Sequence, residues 1–336
     1  MLDGKKVLFS GMQATTGSLH LGNYLGALKN WVALSEEYEC FFSVVDLHSI
    51  TIRQEPADLR NGARHILMQY IAAGLDPEKA CVYYQSHVPA HSELAWILNC
   101  YTYMGELNRM TQYKEKSARN ESNLNTGLFT YPVLQAADIL LYQADYVPVG
   151  KDQKQHIELC RDVAQRFNAI YGDVFTIPEV YLGESGAKIL SLQEPTYKMS
   201  KSDENVNSCI FLLDDRDTII RKFKKAVTDS LALIKYDPEN QPGVSNLLDI
   251  YAIISNKSVD EAVKEFDGKG YGDFKLAVGE AVADALKPLQ ERFDGLKADK
   301  SYVDGIIKAN AEKAAYVAGK TLRKVQKKVG FPERVR

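Results

Sequence analysis

The sequence lacks any segment suited to crossing a membrane. No apolar run approaches the roughly 20 residues that span a bilayer, and the first residues, MLDGKKVLFSG, hold too short an apolar stretch for a secretory signal. We therefore expect a cytoplasmic chain. With 336 residues and 45% hydrophobic content, it can bury a sizeable core in one large or two ordinary domains, which argues against disorder.

Cysteine pairs for metal binding and two familiar nucleotide-binding motifs are also missing. The five cysteines are scattered, with no CxxC pair to hold zinc or an iron–sulfur cluster, so we expect ordinary core thiols. Neither GxGxxG nor GxxxxGKS/T occurs, so the sequence supports neither a dinucleotide-binding fingerprint nor a P-loop. Internal repeats and low-complexity segments are absent as well.

Charge is unevenly distributed along the chain. The formal net charge is −3, so the overall composition gives no sign of a nucleic-acid partner. Residues 301–336, however, contain nine Lys or Arg against three Asp or Glu. An acidic partner could bind there, although a solvated helix face explains the same charges equally well. On the predicted last helix these residues are Lys320, Arg323, Lys324, Lys327 and Lys328.

Apolar runs alternating with helical periodicity predict an α/β fold. A helix opened by Pro56 and closed at Gly74 separates two apolar strands, and this alternation favours a parallel, Rossmann-like sheet. The first helical pattern begins near Ser18, and a long helical stretch is interrupted at Gly105. Strands are expected at residues 5–9, 40–46, 81–86 and 146–150.

The pattern changes in the last third of the chain, where strand signals vanish. We place a Rossmann-like domain at residues 1–212, with a helical insertion at roughly 88–120, and an all-helical domain at 213–336. The last helix, from about residue 302 to 329, can pack back on the first domain.

The segment TTGSLHLGNYLGAL, residues 15–28, joins the first strand to a helix. Glycines in such a loop let backbone N–H groups approach a phosphate at the positive end of the helix dipole. His20 in the first turn can donate to a phosphate oxygen, and Asn23 faces the same side. Taken alone, His20 is better explained as a surface histidine at a helix start.

A second polar segment, KMSKS at residues 198–202, carries two lysines three positions apart. Both ammonium groups can face one polyphosphate, although a solvated charge patch explains the same residues. HLGN and KMSKS together resemble the HIGH and KMSKS signatures of class I aminoacyl-tRNA synthetases. FSGMQATTGSLHLGNYLGAL, VVDLHSIT, GELNRMTQYKEK and AADILLYQADYVPVGKDQKQHIELCRDVAQRFN are similar to bacterial tryptophanyl-tRNA synthetases, and this similarity covers essentially the whole chain.

The resemblance implies a reaction and two sets of binding residues. L-Tryptophan would be activated by ATP with Mg²⁺, releasing pyrophosphate, and then transferred to tRNA(Trp); Lys198, Lys201, Lys116 and His20 would act on the phosphates. The implied ATP site contains Gln13, Thr15, His20, Gly22, Asn23, Gly150, Asp152, Ile189, Lys198, Met199, Ser200 and Lys201. The implied tryptophan pocket contains Phe9, His48, Tyr131, Gln135, Asp138, Val147, Val149 and Gln153.

Asp138 also stands out without the resemblance, because a carboxylate within the apolar run VLQAADILLY is costly to bury unless a group donates to it. The resemblance makes the indole N–H that donor, whereas a backbone N–H or an arginine would serve a structural role. His48 also has a structural alternative: a histidine at the end of a buried strand, with its ring hydrogen-bonded within the core. Two positions depart from the family pattern: His20 stands where Thr is common, and Gln135 where Met is frequent.

The family is typically a homodimer whose helical region reads the tRNA anticodon, and we expect both here. Three alternatives remain at this point. A tyrosyl-tRNA synthetase shares the fold, and Gln135 beside Asp138 could meet a phenol. A nucleotidyltransferase also carries an HxGH-like turn, but is usually shorter. A noncatalytic RNA-binding paralogue has no need of phosphate-binding lysines on a loop.

Overall fold

The fold is built on a five-stranded parallel sheet, which confirms the predicted Rossmann-like class. The computed structural model describes residues 4–15, 17–113, 124–181, 188–201 and 203–333. The strand order is β3-β2-β1-β4-β5, and β1 pairs with β2 from Val7↔Glu39 to Met12↔Val44. The strands are β1 (Val7–Met12), β2 (Glu39–Val44), β3 (Cys81–Tyr84), β4 (Tyr146–Val147) and β5 (Glu179–Val180).

Helices cover both faces of the sheet and make up the last third of the chain. A π-helical stretch, Tyr24–Leu28, joins the first two helices into one continuous element. Among the described residues, no helix combines the length and apolarity needed to cross a membrane. The helices are α1 (Leu21–Asn23), α2 (Lys29–Glu37), α3 (Asp46–Ser49), α4 (Pro56–Ala72), α5 (Ala90–Asn99), α6 (Met104–Asn108), α7 (Thr126–Leu141), α8 (Lys154–Tyr171), α9 (Arg216–Lys224), α10 (Pro242–Ser255), α11 (Val259–Glu265), α12 (Tyr271–Ala298) and α13 (Lys300–Val329).

Strand alternation divides the core between the two faces of the sheet. In β1, Leu8 points into one cluster, whereas Val7 and Phe9 point into the other, as expected from the period of two. The Leu8 face packs against α2, α4 and the helices from α9 to α12. The opposite face packs against α5, α7, α8 and the second half of α13. One cluster thus includes residues from both sides of position 212, and the division into two domains stays a prediction.

The strand order places a crevice at the carboxyl ends of β1 and β4. The chain runs from β1 outward to β2 and β3, then returns to the other side of β1 as β4. The connections leaving β1 and β4 therefore diverge, and open α/β sheets bind their ligands at such a switch point. The segments after β1 and β4 contain HLGN and GKDQ, respectively.

Three local expectations need correction. The first helix begins at Leu21 rather than near Ser18, because His20 forms its cap. Gly105 does not interrupt the helical stretch but lies inside α6; the break falls between α5 and α6. The strand β5 was not predicted, because its two residues carry no pattern and only pairing with β4 defines them.

The last helix, α13, packs back along the edge of the sheet. Asn310 lies at its middle, and its Oδ1 accepts the N–H of Val82 in the edge strand β3 at 3.0 Å. Near the end of α13, the Lys324 ammonium donates to the Asp173 carbonyl at 2.8 Å and that of Lys328 to the Tyr171 carbonyl at 2.7 Å. Two of the basic side chains expected on a phosphate-binding face thus bind the chain's own backbone where α8 ends.

Candidate active site

The HLGN turn is closed by a reciprocal cap between its first and last residues. The backbone N–H of Asn23 donates to Nδ1 of His20 at 3.3 Å, and the backbone N–H of His20 donates to Oδ1 of Asn23 at 3.1 Å. These bonds satisfy two backbone donors that a helix start leaves open. A Cβ on Gly22 would lie 3.0 Å from the His20 ring and 3.6 Å from Ile189, so glycine lets the ring lie against the turn.

Burial keeps the His20 imidazole neutral. Burial, together with the charges of Lys201 and Lys198, lowers the pKa of His20 to about 4. Because Nδ1 accepts the Asn23 N–H, the single ring proton of the neutral form resides on Nε2. The turn therefore offers an N–H donor without adding a positive charge, which suits a phosphate oxygen.

The KMSKS segment is bonded to the crevice through its own backbone and one lysine. The N–H of Met199 donates to the Ile189 carbonyl at 3.0 Å, and the Lys201 ammonium reaches the Gln13 carbonyl, just beyond β1, at 3.4 Å. Burial lowers the pKa of Lys201 to about 8. Lys198 is exposed. Both lysines therefore lie close enough to act electrostatically on His20.

A connecting segment, residues 209–214, joins KMSKS to the helical region and also holds the HLGN turn. The N–H of Leu21 donates to the Ile210 carbonyl at 2.8 Å, and that of Leu212 to the Leu19 carbonyl at 2.9 Å. From the other side, the buried Lys222 ammonium of α9 binds Oδ2 of Asp214 at 2.7 Å and the Cys209 carbonyl at 2.8 Å. The HLGN turn is thus held by a short piece of chain that follows KMSKS in the sequence and is anchored on α9.

The residues expected around tryptophan meet at the other side of the crevice. Tyr131, Gln135 and Asp138 are spaced i, i+4, i+7 on α7 and so share one face. Phe9 of β1 and Val147 of β4 are buried in the cluster on the same side of the sheet, with Val149 packed partly against it. Apart from Gln135 and Asp138, these side chains are apolar or aromatic, a composition suited to an aromatic ring with one polar atom.

Asp138 is buried within a group of side-chain donors. Its Oδ2 binds Nε2 of His48 at 2.9 Å, while its Oδ1 binds Nδ1 of His91 at 2.6 Å and accepts the Gln85 amide at 2.7 Å. Burial raises the pKa of the Asp138 carboxyl, but the His48 hydrogen bond and the His91 contacts outweigh it and leave the pKa below its ordinary value. The carboxylate is therefore ionised at neutral pH.

Gln85 and His91 are functional candidates that the sequence reasoning missed. They come from the end of β3 and the start of α5, and only the fold brings them to α7. One signal was present: His91 shares a helix face with Leu94, Ala95 and Leu98, so it faces the core and needs a polar partner. The donors to Asp138 are imidazole and amide groups, rather than the backbone N–H or arginine considered from the sequence.

Polar contacts link residues expected at tryptophan to residues expected at ATP. The Gln135 amide approaches Oε1 of Gln153 at 3.4 Å, and the Gln153 amide donates to Oδ2 of Asp152 at 2.8 Å. Gly150 precedes this turn, where a Cβ would lie 2.8 Å from Oδ1 of Asp152. On the same helix as Gln135, the Tyr131 hydroxyl lies 2.9 Å from Nε2 of His156. Through Gln153, Gln135 is thus connected to Asp152, which is expected at ATP.

The remaining predicted residues are distributed as follows. Thr15 lies in the loop after β1, and Ser200 lies beside the buried Met199 in KMSKS. Lys116, expected at the phosphates, and Ser202, the last residue of KMSKS, lie outside the described residues.

Comparison with known proteins decides the family. The model of the class I tRNA synthetases (W and Y) matches residues 3–287. This chain belongs to the class I tRNA synthetases. A tryptophan–tRNA ligase of Clostridium perfringens is 55% identical to this synthetase over 331 residues, which are 98% of this chain and 99% of the relative.

Solved structures agree with that assignment. A tryptophanyl-tRNA synthetase from Mycoplasma pneumoniae has a TM-score of 0.88 at 36% identity and covers 98% of both chains. One from Campylobacter jejuni, determined with ADP and tryptophan, has a TM-score of 0.82 at 34% identity and covers 97% of this chain and 100% of its own. The predicted resemblance of this synthetase to the bacterial tryptophanyl enzymes is confirmed, and the tyrosyl alternative is not favoured.

Proposed function

We propose that this synthetase is a tryptophan–tRNA ligase. The tryptophan carboxylate attacks the α-phosphorus of ATP and expels pyrophosphate, and the terminal hydroxyl of tRNA(Trp) then attacks the adenylate. The observation that carries the proposal is that Lys201 of KMSKS reaches the Gln13 carbonyl just beyond β1 and acts electrostatically on His20 of HLGN, beside an aromatic pocket that contains a buried carboxylate. Such an enzyme works in the cytoplasm, where translation supplies its tRNA.

On the phosphate side, catalysis is chiefly a matter of positioning and charge. Lys198 and Lys201 neutralise the pyrophosphate as it leaves, His20 donates from Nε2, and the resemblance assigns the same task to Lys116. These donors are cationic or neutral and do not suit a metal ion, so Mg²⁺ would come with the nucleotide phosphates, as it commonly does. The attacking carboxylate is already ionised at neutral pH, so no general base is needed.

On the amino-acid side, Asp138 distinguishes tryptophan from the other aromatic amino acids. Among the described residues, His48 is the one donor to Oδ2, which leaves an acceptor direction that we assign to the indole N–H. Phenylalanine has no donor for this oxygen, and the phenol of tyrosine reaches a different place in a flat pocket. An unpaired buried acceptor costs about 1–3 kcal/mol, and more when it is charged.

Two further partners belong to the proposal. The helical region from residue 213 onward reads the tRNA anticodon. A second copy of the chain covers the surface around α5, where Trp96 is 70% exposed; Ile50, just after α3, is 59% exposed, and Met104, at the start of α6, is 66% exposed. Trp96 and Ile50 also line a cavity of about 440 Å³ that includes Tyr131, so the dimer face adjoins the amino-acid pocket. Apolar exposure of this extent typically marks an interface.

The test is ATP–pyrophosphate exchange with the purified protein and Mg²⁺, comparing tryptophan, tyrosine, phenylalanine and no amino acid. Exchange with tryptophan alone is the expected result. Exchange with tyrosine would move the assignment to the tyrosyl enzyme, and no exchange at all would remove the adenylation step. Asp138→Ala should lower kcat/KM for tryptophan at least about tenfold while leaving KM for ATP nearly unchanged. An unchanged kcat/KM would remove Asp138 from the site.

A further inference from the structure

The carboxylate of Asp138 is backed by a fully buried histidine that has its own partners. His91 is 0% exposed. Its Nδ1 lies 2.6 Å from Oδ1 of Asp138, and its Nε2 lies 3.0 Å from the hydroxyl of Tyr142 and 3.2 Å from that of Tyr83. Both tyrosines are also buried. The three side chains form a polar layer behind Asp138, on the side away from the crevice.

The direction of each hydrogen bond follows from the carboxylate. An ionised carboxylate only accepts, so Nδ1 of His91 donates to it, and Nε2 is left to the tyrosine hydroxyls. The ring of Tyr142 is itself held by stacking on Phe41, with ring centroids 4.4 Å apart, and on Phe9 at 5.7 Å. The orientation of the His91 ring is therefore determined by the aromatic core that also forms the pocket wall.

Rotation of a carboxylate about its last bond is only weakly restricted by the side chain itself. In Asp138 it is restricted from outside, because His91 and Gln85 both bind Oδ1. With Oδ1 held, Oδ2 has a defined direction, in which it meets His48 and has room for one more donor. Loss of the His91 donor would leave the Gln85 amide alone on Oδ1 and allow the carboxylate to turn.

We propose that His91 is a positioning residue for indole recognition: through Nδ1 it orients the Asp138 carboxylate so that Oδ2 accepts the indole N–H. The proposal rests on the proposed function, in which Asp138 reads that N–H. His91 itself does not contact the substrate, and Tyr142 and Tyr83 fix the orientation of its ring. The predicted effect is on selectivity for the indole N–H, not on ATP or on the chemical step.

Two substitutions distinguish the effect of losing the Nδ1 donor from the effect of losing the imidazole ring. His91→Asn keeps an amide N–H at the position of Nδ1, whereas His91→Gln carries its amide further out, toward the tyrosines, and withdraws the donor from Asp138. The readout is the ratio of kcat/KM for tryptophan to that for β-(benzothien-3-yl)alanine, in which sulfur replaces the indole N–H. The assay is ATP–pyrophosphate exchange, and KM for ATP is measured in parallel.

The wild-type protein should favour tryptophan over the sulfur analogue. The ratio should fall by about tenfold or more in His91→Gln, because the turned carboxylate loses its hydrogen bond to the indole N–H, and a hydrogen bond to a charged group is strong. The ratio should fall by much less in His91→Asn, which keeps the donor to Asp138. KM for ATP should change by less than about twofold in both variants. Tyr142→Phe, which keeps the stacked ring and removes only the hydroxyl, should lower the ratio to an intermediate value and serves alone if the His91 variants do not fold.

Each other outcome overturns a defined part of the reasoning. If the wild-type protein exchanges pyrophosphate with tryptophan but does not prefer it over the analogue, Asp138 does not read the N–H and both proposals about it are wrong. If the wild-type preference is present and His91→Gln retains it, only the role of His91 is wrong. Equal losses in the Asn and Gln variants, or an unchanged ratio in Tyr142→Phe, would show a merely structural histidine.

Discussion

The lowered pKa of Lys201 should be visible in the pH dependence of ATP use. In the free enzyme, burial lowers this pKa from 10.5 to about 8, so the ammonium that meets the pyrophosphate begins to lose its proton only slightly above neutral pH. At one pH unit above that pKa, about a tenth of the molecules carry the charge. We therefore expect kcat/KM for ATP to fall about tenfold between pH 7 and pH 9, because kcat/KM reports the free enzyme.

The pH profile of kcat should behave differently. Once ATP is bound, its phosphates favour the charged form and raise the pKa of Lys201, so the decline in kcat should lie at higher pH than the decline in kcat/KM. His20, whose pKa is lowered to about 4, should contribute no step between pH 6 and pH 8. In the absence of ligand, Lys201 keeps its proton up to about pH 10.5 in the unfolded chain but only up to about pH 8 in the folded protein. Lys201 should therefore make the free energy of unfolding rise with pH between about 8 and 10.5.

The assay is ATP–pyrophosphate exchange at saturating tryptophan from pH 6.5 to pH 10, with ATP varied. Lys201→Arg keeps its charge throughout this range and should give a lower but flat kcat/KM. Lys198→Arg, at the exposed lysine of the same segment, is the matched control and should keep the decline near pH 8. A wild-type profile that is flat to pH 9.5, or the same decline in Lys201→Arg, would refute the assignment.

Two further predictions concern the connecting segment and the dimer face. Asp214→Ala leaves the Lys222 ammonium buried with only a carbonyl and should lower the free energy of unfolding in urea by about 3–5 kcal/mol. Adding Lys222→Met should recover part of that loss, and strictly additive losses would show that the ion pair has no energetic coupling. Trp96→Glu should shift sedimentation from dimer to monomer at micromolar concentration; an unchanged species would place the interface elsewhere.

Much of the sheet could be predicted because its signals are local. The three apolar runs that became β1, β2 and β3 are buried on both faces, and continuous apolar runs indicate such strands. Pro56 begins α4, and Gly172, with a φ of 81°, ends α8 in a conformation that glycine readily adopts. The strand β5 was not predictable, since its two residues become a strand only by pairing with β4.

The residues of the candidate site could be predicted from the sequence, but the hydrogen bonds that connect them could not. The resemblance nominated His20, Lys201 and Asp138, but nothing local indicated that a segment far along the chain, residues 209–214, holds the HLGN turn. The donors to Asp138 come from α3, the turn after β3 and α5, so their convergence depends on the packing of these elements against α7. The local signs of that network were the carboxylate of Asp138 within an apolar run and a buried histidine on the apolar face of α5.

The position of Asn310 has a consequence for the order in which this protein is made. The open edge of β3 is capped by a side chain from α13, which the ribosome delivers after every strand of the sheet. Until then, the strand presents unpaired backbone groups that can pair with another chain. The nascent protein therefore passes through a stage in which most of its catalytic residues have been synthesised but the edge of β3 is still exposed. A chaperone has the most to contribute at that stage.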